Sequence, residues 1–524
     1  MEISILKLIA ITTFTLFCPV TLGSTLTYGE VGFTSQLNPY QSKDNLTRRL
    51  ATLLFSSLVS TDKSGNYIGD LAESWQIDPN SQSVSFRLKD SYWHSKKDSQ
   101  SPSPVTWQDI KATILYARSK DEHALKVIKS IEKLSSNRFK VHFHRSLSDP
   151  LKHLMFKIIP STMYNPDNES FSSDDFEAHP TGTGPYQFVK RSSTEITLKR
   201  HPRYHGQIPN IELIKVRVFP NYTILAQALM YDSLDLVSYI SPNDLTEVSS
   251  DKDLAIIPYN ALSFSFIGFN LRRPHLMKKD VRRAMSAAID VQEMLRVFFK
   301  GNGSAISGPL PITSWAYNTN IHPVKFDPQY SSQILKKSGY QLIDGLWTDN
   351  KGGKLEFIFS VPIGDQVESI KKLALAYQSY LERAGFRINL QFVGWRLWHE
   401  KVINQQDFDL TMASWNFDKS LNIANLFHSQ NADKGGYNFI GFKNTEVDQL
   451  LREAEATSSF TKKQKIYKDL HSILAHESPY TFLWTLLHHA AHSERLSNVE
   501  VDPFSFFKHI SSWKIAKGEA NELQ

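Results

Sequence analysis

The sequence predicts a mixed α/β protein with two or three domains. At 524 residues the chain is too long for one ordinary hydrophobic core. Strand-like alternation and helix-like apolar stripes are intermixed along it without a regular βαβ period, and no internal repeat is visible. This combination favours mixed α/β domains with crossing connections over a barrel or a propeller.

Composition narrows the class of protein further. Hydrophobic residues make up 41% of the chain and charged residues 21%, which is typical of a soluble globular protein. The formal net charge is +6, but basic residues are scattered or interleaved with acidic ones, whereas a nucleic-acid binder concentrates them on one face. We therefore expect no nucleic-acid partner. A mildly basic surface suits anionic ligands or surfaces.

The first residues predict export. A short basic start at Lys7 precedes an apolar run over 8–22, and the small residues that follow place a cleavage site before Ser24. Segment 1–23 is therefore predicted to be a signal peptide. The apolar run is shorter than the roughly 20 residues of a membrane-spanning helix. The predicted location is the periplasm.

Cys18, the only cysteine, is expected to leave with the signal peptide. Lipid anchoring at Cys18 is the less favoured alternative, because Thr15 and Phe17 do not fit the pattern of a lipoprotein signal. After cleavage the mature chain has no disulfide, no thiol nucleophile and no cysteine-based zinc site.

Local patterns place the first elements. Alternating apolar and polar residues predict strands at 84–88, 139–144, 195–198 and 214–218. An apolar stripe predicts a helix that ends near Ile289. The capping box Asp290-Val291-Gln292-Glu293 starts another helix, which closes at Gly301. A second capping signature at 461–464 predicts a helix that ends before Pro479.

Signatures of covalent chemistry are missing from the sequence. There is no Gly-x-Ser-x-Gly, no His-Glu-x-x-His and no P-loop, so we expect no enzyme and no cofactor. Gly182 and Gly184 are interpreted as a turn that needs unusual backbone angles, rather than as a phosphate cradle.

Histidine pairs are weak metal candidates. His142 and His144 share one face of a strand, but Val141 and Phe143 turn the other face inward and leave the histidines exposed. His488 and His492 would share a face if that segment were helical. We predict no metal site.

An ordered series of motifs carries a family resemblance. It runs through Leu37-Asn38-Pro39-Tyr40, Ile68-Gly69-Asp70-Leu71-Ala72-Glu73-Ser74-Trp75, Thr181-Gly182-Thr183-Gly184-Pro185-Tyr186 and Trp415-Asn416-Phe417-Asp418. In this order, the set resembles the family-5 extracytoplasmic solute-binding proteins of ABC importers, which bind oligopeptides, dipeptides or nickel.

The resemblance implies a three-domain, bilobal periplasmic-binding-protein fold with mixed sheets and a ligand cleft between the lobes. Domain I is expected from 24–47, 178–268 and 486–524, domain II from 48–177 and domain III from 269–485. The template also places the region of His488 in domain I, away from the cleft.

The implied function is capture of oligopeptides and their delivery to an ABC permease in the inner membrane by a monomeric protein. Two alternatives stay open. One is a binding protein of the same family for a metal chelate, haem or another anionic solute. The other is an exported hydrolase or chaperone on this scaffold.

The implied ligand site centres on Asp418. In the oligopeptide-binding members an aspartate three residues after a tryptophan pairs with the ligand's amino terminus, and Trp415 and Asp418 match that pattern around Phe417. Trp395 falls near a position that lines the ligand in the family. The segment Phe33, Thr34 and Ser35 is the expected strand that pairs with the ligand backbone.

The sequence departs from the family where a ligand carboxylate is bound. Met412 stands where enteric members carry an arginine, and a second family arginine is replaced around Val402 or Ile403. The side chains of Arg396, His399 and Lys401 are alternative sources of positive charge.

Overall fold

A mixed sheet of twelve strands runs through both halves of the described structure. The computed structural model describes residues 24–32, 36–41, 44–62, 66–95, 103–119, 125–165, 170–171, 176, 178–364, 367–417, 421–457 and 459–516. The predicted signal peptide, 1–23, lies outside these residues. The predicted mixed α/β class is confirmed.

The strands are short, apart from one near the C-terminus. In chain order they are β1 (Thr25–Val31), β2 (Val59–Thr61), β3 (Tyr67–Gly69), β4 (Ala72–Ile77), β5 (Ser83–Leu88), β6 (Ile128–Lys133), β7 (Arg138–Phe143), β8 (Tyr164–Asn165), β9 (Ser170–Phe171), β10 (Tyr186–Arg191), β11 (Glu195–Arg200), β12 (Leu213–Phe219), β13 (Leu236–Val237), β14 (Leu254–Asn260), β15 (Ser263–Phe269), β16 (Gly303–Ala305), β17 (Gln341–Ile343), β18 (Leu346–Thr348), β19 (Glu356–Ile363), β20 (Arg387–Gly394), β21 (Leu410–Asn416), β22 (Tyr480–Ser493), β23 (Leu496–Ser497) and β24 (Lys514–Ile515).

Helices alternate with groups of strands along the chain. They are α1 (Asn45–Leu54), α2 (Trp107–Ser119), α3 (Tyr222–Met230), α4 (Leu245–Ser250), α5 (Pro274–Met277), α6 (Lys279–Ala287), α7 (Val291–Phe299), α8 (Pro328–Lys337), α9 (Val367–Arg383), α10 (Trp395–Trp398), α11 (Ala424–Phe427), α12 (Thr445–Ala456) and α13 (Phe460–Glu477). Within the described residues, no helix combines the length and the apolar character needed to cross a bilayer.

The large sheet mixes parallel and antiparallel pairs. Its order is β10-β11-β12-β1-β13-β22-β15-β21-β19-β20, with β14 and β16 also paired to β22. Strand β1 runs parallel to β12 and β13, and β19 runs parallel to β20 and β21, whereas β22 is antiparallel to its partners. A separate antiparallel sheet has the order β4-β5-β7-β6.

Buried hydrophobic side chains divide the molecule into two lobes. Two clusters draw on residues 26–248 and 490–513, which we name the first lobe. Two others draw on residues 264–484, which we name the second lobe. Because burial of apolar area dominates folding free energy, each lobe holds its own stabilising core.

Capping explains where the predicted helices begin. The Asp290 side chain accepts from the Glu293 N–H at 2.9 Å and starts α7, as predicted, and Lys300 ends that helix in the left-handed conformation. The start of α13 was predicted wrongly. Its cap is Ser459, which accepts from the Lys462 N–H at 3.3 Å, instead of Thr461.

The four predicted strands are confirmed as β5, β7, β11 and β12. In β7, Val141 and Phe143 are buried as the alternation predicts. His144 is exposed and His142 is half-buried, with its Nε2 atom 2.9 Å from Glu132 Oε2. The inward and outward sides of this strand therefore follow from sequence alone.

The unusual backbone angles expected at Gly182 and Gly184 are not found. Neither residue has a positive φ, so no unusual conformation requires glycine there. A Cβ atom on Gly182 would instead lie 1.8 Å from the Leu54 carbonyl oxygen, and one on Gly184 would lie 2.3 Å from the Leu53 carbonyl oxygen. Glycine is needed because this loop passes against the end of α1.

Candidate functional site

A cavity of about 360 Å³ lies where the two lobes join. Strand β22 pairs with β13 and β14 of the first lobe through its C-terminal half and with β15 of the second through its N-terminal half. The chain crosses a second time from β14 into β15, through Ala261 and Leu262. The Ala261 N–H donates to the Leu486 carbonyl oxygen at 2.9 Å and ties the two crossings together.

The cavity wall combines aromatic rings with polar and basic groups. It is lined by Asn45, Arg48, Arg49, Tyr259, Asn260, Ala261, Leu262, Ser263, Asn416, Phe417, His488, Pro503, Phe504 and Phe506. Both lobes contribute, with α1 and residues 503–506 on one side and Asn416 and Phe417 on the other. No acidic side chain is among these described lining residues.

The charge of Arg49 is neutralised inside the first lobe. Its Nη1 atom donates to both carboxylate oxygens of Glu30, at 2.7 and 2.6 Å. The Glu30 carboxylate is buried and also accepts from Tyr28 and, at 3.0 Å, from Ser238. Burial by itself lowers the pKa of Arg49, but the attraction of Glu30 outweighs it and raises that pKa. Arg49 is therefore held in a structural ion pair.

Arg48, the next residue, is exposed in the cavity wall. Its Nη2 atom donates to the side chain of Asn45, one turn earlier in α1. Desolvation and the neighbouring Arg49 lower the pKa of Arg48, with Asp44 opposing them. Among the residues that the structure describes, Arg48 forms no ion pair.

His488 lies in the cavity wall, which corrects the expectation that its region lies away from the cleft. The segment around it is strand β22 and not a helix. Its ring packs edge-on against Tyr239 and Tyr259, at centroid distances of 5.0 and 5.5 Å. Burial lowers the pKa of His488 to about 4, and the charge of Arg49 adds to this shift. The imidazole is neutral at physiological pH.

The predicted site residues fall into three groups. Phe417 lines the cavity, and its N–H donates to the Leu262 carbonyl oxygen at 2.7 Å, which continues the pairing of β15 with β21 in the second lobe. Trp415 and Trp395 are not among the lining residues. Asp418 and the segment Phe33, Thr34 and Ser35 lie outside the described residues, so their roles stay predictions.

The two tryptophans lie at the carboxyl ends of β21 and β20, the two strands that flank β19 in the sheet. Trp415 is half-buried near the end of β21, with its ring 5.4 Å from that of Tyr437. Trp395 follows β20, stacks on Trp398 at 4.9 Å and is 60% exposed. Their role in ligand binding also stays a prediction.

The other candidate cations, and the Met412 position where family members carry an arginine, lie outside the cavity wall. Met412 is 8% exposed and packs in a core cluster of the second lobe. Arg396, His399 and Lys401 belong to α10 and the π-helical turn His399–Asn404 that follows it, and none of them lines the cavity. The cationic side of the cavity therefore comes from α1.

Sequence reasoning overlooked α1 as part of the site. The visible signal was the pair Arg48 and Arg49, adjacent charges on a helix whose other face is apolar and buried. Which of the two arginines is neutralised depends on Glu30, which lies in a different element. Among the described residues there is no group of three or more histidine, cysteine or acidic side chains that could hold a metal ion.

The lobes also touch at a point away from the cavity. Arg145 Nη2 lies 3.3 Å from Glu455 Oε2, and the Ser148 hydroxyl donates to the Glu455 carbonyl oxygen. Residues 145–148 follow β7 of the first lobe and Glu455 is in α12 of the second. We name this pair of contacts the rim contact.

A family model matches much of the chain. The model described as "Bacterial extracellular solute-binding proteins, family 5 Middle" covers residues 66–438. Oligopeptide-binding protein AppA of Bacillus subtilis is 24% identical over 512 residues, which span 94% of this chain and 92% of that protein. Heme-binding protein A of Haemophilus influenzae is 22% identical over 465 residues, which span 83% and 82%.

Solved structures show the same fold. AppA from Bacillus subtilis in complex with a nonapeptide has a TM-score of 0.78 at 23% identity, with 94% of this chain and 99% of that chain covered. NikZ from Campylobacter jejuni in complex with Ni(L-His) has a TM-score of 0.77 at 21% identity, with 93% and 99% covered. The bilobal arrangement and its mixed sheet are therefore shared with proteins whose bound molecules differ.

Proposed function

Since this chain belongs to the family-5 extracellular solute-binding proteins of ABC transporters, we propose that it captures short peptides in the cavity between its lobes and delivers them to a membrane permease. Members of the family bind a substrate and are not enzymes, which decides against the hydrolase alternative. The proposal concerns which substrate is bound and how.

A free strand edge at the cavity carries the peptide assignment. Within the described residues, β14 pairs only with β22, so its other edge has unpaired backbone groups along Tyr259 and Asn260, both of which line the cavity. Peptides share a backbone while their side chains vary. A binder of mixed peptides therefore gains affinity by adding the ligand as a further strand.

The two chain crossings support a hinged closing motion. Among the described residues, β22 and the β14–β15 connection carry the chain between the lobes at the cavity, so a hinge motion would turn about these segments. The rim contact supports a closed form in which Glu455 meets Arg145. To turn a mostly open population into a mostly closed one, the ligand must favour the closed form by roughly 5.5 kcal/mol.

A second candidate is an anionic solute such as haem or a metal chelate. The observation that favours it is the exposed Arg48 in the lining, which faces no acidic lining side chain among the described residues. The aromatic rings of Tyr259, Phe504 and Phe506 suit a flat apolar solute as well as peptide side chains.

Native mass spectrometry of freshly purified protein, with the released ligand identified, tests the two candidates. A ladder of mixed short peptides supports the proposal. A haem or nickel-containing mass supports the second candidate. If the protein emerges empty and its melting temperature is unchanged by a random pool of short peptides, the peptide assignment is wrong.

Asp418 provides a direct prediction. We expect Asp418→Ala to weaken binding of peptides with a free amino terminus and to leave amino-acetylated peptides unaffected, because a charge-assisted bond contributes about 1.5–3 kcal/mol. That range corresponds to roughly a tenfold to hundredfold loss of affinity. Calorimetric titration with matched peptide pairs measures the difference.

Asp407→Ala is a matched control, because it removes a carboxylate that is 70% exposed and pairs with Arg273 at 2.9 Å. It should leave both affinities unchanged. Equal losses for free and acetylated peptides in Asp418→Ala would contradict the assigned role of Asp418.

We also propose where the protein is located, its oligomeric state and its division into domains. We infer a periplasmic, monomeric protein that serves a permease in the inner membrane. The three-domain division is supported by the antiparallel sheet β4-β5-β7-β6, which lies within the proposed domain II, and by the second-lobe cores, which draw almost entirely on the proposed domain III.

A further inference from the structure

We propose that Arg48 binds a carboxylate group of the ligand. This inference rests on the proposed function and adds the chemistry of one ligand end to it. It also identifies a cavity-lining cation on α1, whereas the position where the family carries an arginine holds Met412, which is buried in the second lobe.

The cavity wall contains two positively charged side chains. Two arginines line it, and the Glu30 carboxylate, which is buried behind the wall, neutralises one of them through both of its oxygens. Arg48 is left with a hydrogen bond to the neutral Asn45 side chain. Among the described residues Arg48 forms no ion pair, so its guanidinium charge is available at the cavity surface, where Asp44 is the carboxylate that acts on it.

Helix α1 fixes the position from which Arg48 extends. Arg48 is in the first turn of α1, whose buried residues Leu46, Leu50 and Leu53 anchor the helix in the core of the first lobe. The adjacent Arg49 is held by Glu30. The guanidinium of Arg48 is thus presented from a rigid element, which reduces the conformational entropy lost when it binds a partner.

A carboxylate is the ligand group that best matches the Arg48 guanidinium. A guanidinium offers parallel N–H donors that match the two oxygens of a carboxylate. The Tyr259, Phe504 and Phe506 rings line the same cavity, and a charge-assisted bond is stronger beside apolar surface than in bulk water. A carboxylate is present at the C terminus of a peptide and on acidic side chains.

The experiment compares free-acid and C-terminally amidated versions of a random pool of short peptides, with competition for the protein read by mass spectrometry. In the unsubstituted protein we expect the free acids to be preferred. In Arg48→Ala we expect the affinity for free acids to fall about tenfold or more, to the level of the amides. Arg48→Lys keeps the charge and should retain part of the preference.

Amidated peptides with aspartate or glutamate identify the source of the carboxylate. If Arg48→Ala weakens only free acids, the C-terminal group is bound; if it also weakens these amides, an acidic side chain is bound. Arg296→Ala is the control, because this arginine is 72% exposed, pairs with Glu293 at 2.6 Å and does not line the cavity.

Two outcomes overturn the inference and are distinguishable. If the unsubstituted protein binds peptides and Arg48→Ala either leaves affinity unchanged or weakens amidated peptides that lack aspartate and glutamate as much as free acids, the role of Arg48 is wrong and the proposed function stands. If the unsubstituted protein binds no member of either pool, both fail. An unchanged melting temperature of Arg48→Ala confirms that the fold is intact.

Discussion

Gly182→Ala is expected to destabilise the first lobe by about 3 kcal/mol or more. The new Cβ atom would lie 1.8 Å from the Leu54 carbonyl oxygen and 2.8 Å from its carbon. These are backbone atoms at the end of α1, so the contact can be relieved only by moving the helix or the loop. Thermal unfolding and the midpoint of urea unfolding measure the effect.

The hydrogen bonds of the loop around Gly182 make the expected loss of stability larger than the steric clash alone would cause. The Gly182 N–H donates to His94 Nδ1 at 3.1 Å, and its carbonyl oxygen accepts from the His94 N–H at 2.8 Å. The Gly184 N–H donates to the Leu54 carbonyl oxygen at 2.9 Å. Displacement of the loop therefore strains several buried hydrogen bonds.

Gly394→Ala is the matched control. Gly394 has a φ of −62° and nothing within 4 Å of a Cβ position, so alanine fits without strain. We expect a change of less than about 0.5 kcal/mol there. If Gly182→Ala were as stable as Gly394→Ala, the close approach of the loop to α1 would be contradicted.

The second large effect is a loss of stability in mild acid. Burial lowers the pKa of His94 to about 3, with the charge on His201 adding to the shift. Burial lowers the pKa of His471 to about 4. The ordinary value in an unfolded chain is about 6.5. One histidine is in each lobe, so both lobes are affected.

The hydrogen bonds show why the neutral form is required. His94 Nδ1 accepts from the Gly182 N–H at 3.1 Å, while its Nε2–H donates to the Gly184 carbonyl oxygen at 3.1 Å. His471 Nδ1 accepts from the Asn318 N–H at 3.0 Å, and its Nε2–H donates to the Ser307 hydroxyl at 3.0 Å. A proton on either Nδ1 atom would face an N–H donor and break the bond.

Acidification lowers the stability of the folded protein because the unfolded chain takes up more protons. Below about pH 6.5 the unfolded chain takes up these protons, while the folded protein stays neutral until its lowered pKa is reached. Stability is therefore full above about pH 6.5 and falls as the pH drops toward 4. At about pH 4.5 each histidine lowers the unfolding free energy by about 2–3 kcal/mol.

Urea unfolding between about pH 7 and pH 4.5 measures this dependence. His94→Gln and His471→Gln should each reduce the loss on acidification, even if they are less stable at neutral pH. His144→Gln, at an exposed position, should leave the slope unchanged. An unchanged slope in both buried variants would show that other groups cause the acid sensitivity.

Local features of the fold were predictable from sequence. The Asp290 cap and the alternation in β5 and β7 depend on residues within a few positions of one another. The Ser459 cap was missed because Thr461, two residues later, offers the same hydroxyl chemistry. Gly182 was recognised as special, but for the wrong reason, since its neighbour Leu54 is more than a hundred residues away in the chain.

The candidate site was predictable only in part. Phe417 was placed in it through the family resemblance, and the structure brings this residue into the cavity wall. His488 was assigned elsewhere because its strand continues from one lobe into the other, a path that no local pattern reveals. Arg48 and Arg49 are adjacent and chemically identical in sequence.

The sequence by itself determined the fold class, the family and the ends of several helices, because apolar periodicity, capping and motif order are encoded in neighbouring residues. Only the tertiary structure decided which arginine is neutralised, which glycine meets a helix end and which histidine faces the cavity. These outcomes depend on pairs such as Arg49 with Glu30, which folding brings into contact from separate elements. Charge and burial at such pairs are set by three-dimensional neighbours, and those neighbours have no local signature in the chain.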